Sequence, residues 1–238
     1  MGACLLAFDT STEQMAVALS TAAGTLSGCW PGGAAASATL LPRAAELLAE
    51  AGIGWSALDA IAFGRGPGAF TGLRTACAVA QGLGFGLDRP LLPVDSLAIV
   101  AEDARAQAAP QADFEVWVTV DAHMDEVYAA AYAMVVGGPW MQRVAPALFT
   151  LPALHAAWAV AAPAAVAGNA LAIFGARLDS GAARRFAQEQ GRAAALLRRA
   201  SALWAAGAAV DAAAALPLYL RDKVALTTAE RRTLRAAT

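Results

Sequence analysis

The sequence predicts an α/β protein built from two similar lobes, and three observations predict it. Short apolar runs ending in an acidic residue or a glycine alternate with stretches whose apolar residues recur at helical spacing. One unit, a strand closed by Asp9 and followed by an alternating partner, returns at Asp121. There "VWVTVDAHMDEVYAAAYAM" parallels the opening "CLLAFDTS" and "MAVALS", as expected of one design used twice. Finally, 58% of the 238 residues are hydrophobic, many of them alanine, enough for sizeable cores with closely packed helices.

"CLLAFDTS" reads as a buried strand and "MAVALS" as its hairpin partner. "GCWPGGAAAS" reads as a loop rich in glycine and proline. From Leu40 the period changes: Leu40, Leu41, Ala44, Leu47, Leu48 and Ala51 recur at helical spacing, Gly52 stops the helix, and Ser37 or Thr39 stands where a cap belongs. "DAIAFG" is a short buried strand running into "GRGPGAFTGLR", residues 64–74. Thr71 then caps a helix reaching Leu87 and closed by "DRP". "LLPVD" is a further strand, and Ser96 caps the helix "LAIVAEDARAQAA". The second unit starts near Phe114, and "AAVAGNALAIF" adds a strand, a Gly-Asn turn and a helix start. Residues 176–216 read as mostly helical and chemically quiet, with a break at Pro217. The expected division is a first lobe 1–108, a second lobe 109–216 and a tail 217–238.

A formal net charge of -2 leaves no global positive field to hold nucleic acid. The arginine clusters (Arg184, Arg185, Arg198, Arg199, and Arg231, Arg232, Arg235) read as solvated faces that could touch RNA only inside a complex. Cys4, Cys29 and Cys77 have no paired spacing, which points to buried thiols in a reducing compartment. The opening "MGACLLAFDTS" lacks a basic n-region and no apolar run is long enough for a membrane span, so the expected location is cytoplasmic. His123 and His155 stand far apart, so no metal site is expected. With no G-x-S-x-G elbow, no catalytic residue is assigned.

The glycine-rich stretch leaves two readings open. It lacks the lysine of a P-loop, and its G-x-G-x-x-G register ends in Thr71. A strand-to-helix turn with Gly66 and Gly68 still suits an anion, with Asp9, Thr10 and Ser11 facing it. Alternatively it is a tight turn, with Asp9 satisfying the amides of the hairpin.

"LAFDTSTEQMAVAL", "FGRGPGAFTGLRTACAVAQGLG", "LLPVDSLAIVA", "VDAHMDEVYAAAY" and "PLYLRDKVALTTAER" occur in this order, and together they resemble the bacterial TsaB (YeaZ) family. The likeness covers most of the chain and weakens across 135–215. It implies two tandem ribonuclease-H-like lobes of the actin-like ATPase (ASKHA) superfamily. It also implies a non-catalytic partner of TsaD and TsaE in forming N6-threonylcarbamoyladenosine at position 37 of tRNAs reading codons that start with A. On that reading tRNA is met only through the complex, no cofactor is intrinsic, and ATP or ADP belongs to the complex. The other reading is a nucleotide-binding ATPase or group-transfer enzyme acting alone. The chain departs from the family at Ala36, where a histidine commonly precedes the serine. It also has no histidine pair at helical spacing, the pair through which the catalytic relative holds a metal.

With that resemblance the glycine-rich turn reads as architecture first. The helix after it has Arg74, Ala78, Gly82 and Gly86 at four-residue intervals, a stripe of small groups that lets another helix approach. The companion surface is expected on the first helix from Leu40, Leu41, Ala44, Leu47 and Leu48. The resemblance implies that a homodimer and the contact with TsaD both use these two helices as a small bundle.

Overall fold

The computed structural model describes residues 2–221. The first sheet has the order β3-β2-β1-β4-β5, with β1 (Leu5–Asp9), β2 (Gln14–Thr21) and β3 (Gly24–Pro31) antiparallel. β4 (Ala60–Gly66) and β5 (Leu91–Asp95) run parallel to β1. The second sheet repeats the plan as β10-β9-β6-β7-β8. Here β6 (Phe114–Asp121), β7 (Glu126–Met134) and β8 (Trp140–Thr150) are antiparallel, while β9 (Ala165–Ala167) and β10 (Arg184–Phe186) run parallel to β6. Asp9 and Asp121 end the corresponding strands, so the duplication read from the sequence is real and the fold is the two-lobed, actin-like one.

Period-two alternation decides what each sheet face meets. Leu6, Phe8, Met15 and Val17 point to one side, against α1 (Ala36–Glu50) and α2 (Phe70–Leu87). The intervening Leu5, Ala7, Ala16 and Ala18 point to the other, where their small size admits α6 (Arg192–Ala205) through Leu196, Leu197 and Ala200. In the second sheet Val116, Val118 and Tyr132 meet α3 (Ser96–Ala108). Trp117, Val127 and Val166 meet α4 (Leu151–Val160) and α5 (Ala170–Phe174).

The sheets fall on either side of residue 108, but two helices are exchanged. α3, at the end of 1–108, packs on the second sheet, and α6, within 109–216, packs on the first. They lie against each other between the sheets. Glu102 of α3 ties them: it accepts from Arg105, from Trp140 Nε1 at 2.9 Å and from Arg198 of α6. Asp103 accepts from the amides of Gln190 (3.1 Å) and Gly191 (2.7 Å), fixing the entry to α6.

Several local expectations change. Part of "GCWPGGAAAS" lies in β3, an edge strand whose side chains are only half covered and which therefore lacks a strong apolar alternation. α1 begins at Ala36, and Ser37 and Thr39 donate back to the Ala34 and Ala35 carbonyls at 3.3 and 2.9 Å instead of capping amides. α2 begins at Phe70 without a side-chain cap, so Thr71 lies inside its first turn. Asp95, not Ser96, caps α3, accepting from Leu97 N at 2.9 Å. Arg231, Arg232, Arg235 and most of the 217–238 tail lie outside the described residues.

Two glycines of α2 separate packing from propensity. A Cβ at Gly72 would land on the Thr10 carbonyl, whereas among the described residues nothing beyond the local helix lies within 4 Å of one at Gly82. In urea unfolding, Gly82→Ala is expected to stabilise the protein by about 1 kcal/mol. Gly72→Ala is expected to destabilise it by about 1–3 kcal/mol through overpacking.

Candidate functional site

The carboxylate that ends β1 is sealed. Asp9 has 0% exposure, and its Oδ1 accepts from the Ser11 amide (2.9 Å), the Ser11 hydroxyl (2.7 Å) and Arg192 Nη2 (3.0 Å). Its Oδ2 accepts from the Ser96 hydroxyl at 2.7 Å, and that hydroxyl in turn accepts from Gly66 N at 3.1 Å. Arg192, equally buried, also donates to Ser11 Oγ at 2.9 Å and pairs with Glu189 at 2.6 Å. Burial alone would push the Asp9 carboxyl up. The Arg192 charge, followed by the two serine hydroxyls and the Ser11 amide, outweighs it and holds the carboxyl below its usual value. Thr10 is buried too, donating to the Gly72 carbonyl at 2.7 Å.

The glycine-rich turn closes over this cluster. A Cβ at Gly64 would occupy the Asp9 carboxylate, and one at Gly68 would meet the Ser11 carbonyl, which accepts from Ala69 N at 2.8 Å. Asp9, Thr10, Ser11, Gly66 and Gly68 are therefore brought together as expected from sequence. Their polar groups are spent on one another and on Arg192, so in this geometry Asp9 has no open oxygen for a metal-bound phosphate.

In front of the cluster, residues 217–221 run as a strap between the lobes. Leu218 N donates to the Arg65 carbonyl at 2.7 Å, while Arg221 donates to the Ala122 carbonyl at 2.9 Å and pairs with Glu126 at 2.6 Å. Tyr219 packs on Phe70 with ring centroids 5.0 Å apart. Arg74 lies 3.8 Å over the Phe70 ring and donates to Tyr219 Oη at 3.2 Å. A cavity of about 160 Å³ remains beside the strap, facing the turn after β6. In that turn His123, Met124 and Asp125 all have left-handed backbone, with φ of 60°, 57° and 59°.

The outer face of α2 is open. Arg74, Ala78, Gly82 and Gly86 are all exposed, and so is Phe85 at 63%. Of the five companion residues expected on α1, Leu41 alone is exposed. Leu40, Ala44, Leu47 and Leu48 are buried in the first lobe because they are the face that covers β2, and only Leu41 reaches the surface. Two further corrections concern residues passed over in the sequence. Arg192 lies in the segment read as quiet, yet it supplies the countercharge to Asp9. Phe85 was absent from the stripe although it falls three residues after Gly82. Among the described residues, no group of three or more His, Cys, Asp or Glu side chains converges, and no helix is long and apolar enough to cross a membrane.

Comparison with known proteins agrees with this fold. Residues 26–228 match the profile of the family described as "TsaD: tRNA N6-adenosine threonylcarbamoyltransferase". The chain is 42% identical over 124 residues to the tRNA threonylcarbamoyladenosine biosynthesis protein TsaB of Haemophilus influenzae, which is 52% of this chain and 51% of that protein. The match thus spans about half the length of that curated relative. Two solved structures from Pseudomonas aeruginosa are similar throughout, each match covering 92% of this chain and 100% of the other. One, described as an uncharacterized protein with similarity to peptidase YEAZ, has 40% identity and a TM-score of 0.82. The other, YeaZ, has 36% identity and a TM-score of 0.78.

The Asp9–Arg192 pair has a measurable signature. Arg192→Met leaves a buried carboxylate without its countercharge and is expected to cost about 3–5 kcal/mol in urea unfolding, part of it recovered in the double variant Asp9→Asn/Arg192→Met. Because the folded chain holds the Asp9 carboxyl below its usual value of 3.8, its contribution is fully present at neutral pH. The contribution is lost as pH falls through that depressed value. Asp9→Asn should flatten the acid limb of the stability–pH curve, and an unchanged limb would refute the assignment.

Proposed function

The chain belongs to the TsaB (YeaZ) family, and from that premise we propose that it serves tRNA threonylcarbamoyladenosine biosynthesis as a non-catalytic subunit that docks on the transferase TsaD. The observation that carries the reading is the uncovered face of α2. A row of small residues led by Arg74 lies beside a largely exposed phenylalanine, and among the described residues nothing beyond the helix's own local backbone and the adjoining residues comes within 4 Å of a Cβ built at Gly82 or Gly86. Glycine inside a helix costs about 1 kcal/mol against alanine. Close packing against a second helix offsets that cost, since a surface without side chains lets backbones approach.

The sealed state of Asp9 supports the non-catalytic part. A carboxylate already neutralised by an arginine and two hydroxyls is poorly placed to organise a nucleotide's metal and phosphates. On this reading ATP or ADP belongs to the partners. TsaE, and the tRNAs that are modified at position 37 and read codons starting with A, are reached through the complex in the cytoplasm. The isolated chain uses the same α2 face to pair with a second copy.

Gly82→Arg puts a long charged side chain in the middle of that face without touching the core. It is expected to leave the circular dichroism spectrum unchanged while abolishing both self-association in light scattering and capture of TsaD. A folded variant that still dimerises and still captures TsaD would refute the interface. ATP hydrolysis by the isolated chain, or modified tRNA formed without TsaD, would replace this reading with that of an enzyme acting alone.

A further inference from the structure

We infer that the docking surface continues from α2 over the C-terminal strap into the cleft mouth, where the cavity beside Tyr219 receives one apolar side chain, aliphatic or aromatic, of the same partner. The inference rests on the α2 reading above and adds a socket to it.

Three observations carry it. The cavity is of useful size and character: its 160 Å³ are walled largely by Phe70, Leu73, Leu218, Tyr219 and Met124. An apolar cavity of about 150 Å³ is known to take up a benzene ring. The polar groups on its wall are already engaged, Arg221 with Glu126 at 2.6 Å and Asp121 by accepting from the His123 amide at 3.0 Å. That leaves a neutral occupant favoured over a phosphate.

The rim is held in a costly conformation. Three consecutive non-glycine residues have φ near 60°, a left-handed backbone that side chains disfavour. The corresponding turn after Asp9 has no positive φ, so the duplicated design does not impose the strain. What the second-lobe turn holds in place is Met124, 67% exposed at the cavity rim, an adaptable side chain suited to an apolar contact.

The cavity and the α2 face are also continuous. Tyr219 forms one wall and accepts from Arg74, the first residue of the exposed row, while Phe70 lies under both. A protein seated on α2 therefore reaches the socket without leaving covered surface.

The test measures TsaD binding by calorimetry for Met124→Asn, Tyr219→Ala and Gly82→Arg, with the melting temperature of each. Asparagine tolerates the left-handed backbone better than methionine. Met124→Asn should therefore melt no lower than wild type, yet bind on the order of ten-fold more weakly. Tyr219→Ala should lose at least as much affinity. If Gly82→Arg blocks binding while Met124→Asn and Tyr219→Ala bind within about two-fold of wild type, the socket is refuted and the α2 face stands. If Gly82→Arg binds normally, both fall together.

Discussion

A carboxylate at the end of the first strand, sealed against an arginine 183 residues further along the chain, is the constraint on which both lobes depend. Neither charge tolerates burial alone, since an unpaired ion in the interior costs several kcal/mol. Satisfying Asp9 requires the first turn of α6 to stand at the C-terminal end of β1. That requirement puts α6 under the first sheet although it follows the strands of the second. The glycine-rich turn then finds the space in front of β1 occupied, and its glycines serve close approach of backbone to backbone.

The exchange of helices turns two lobes into one body. α3 and α6 are the middle layer, tied to each other and to the segments around them by hydrogen bonds to Glu102 and Asp103. Asp95 adds a link across the lobes by accepting from the Tyr132 hydroxyl, and burial raises its carboxyl despite that bond and the one from Leu97. The strap adds further links across the lobes, through Leu218 to Arg65 and Arg221 to Glu126.

Much of this was legible in the residues, and the failures are physical. β1, β2, β4 to β7, α2 and α3 announce themselves because their periods match a buried face. The repeat of Asp9 in Asp121 exposed the duplication. β3 escaped because an edge strand shows half its side chains to water. The leucines of α1 revealed a stripe but not its direction, since helical spacing is the same for a core face and a docking face. On α2 the small residues led by Arg74 were readable as a surface, because glycine inside a helix calls for a reason. Arg192 was out of reach: an arginine opening an alanine-rich helix looks like any solvated one, and only the fold reveals which carboxylate it meets.

The exchanged helix also has a consequence for how the chain is made. The strands of the first sheet are complete at Asp95, but the alanine face they present to α6 has no cover until residue 205 has left the ribosome. At synthesis rates of roughly 5–20 residues per second that interval lasts on the order of 5–20 seconds, long compared with the closure of local hairpins and helices. A half-built sheet must wait through it, exposed to chaperones and to neighbouring chains. A chain cut between the two sheets would yield two fragments, each missing the helix that the other holds.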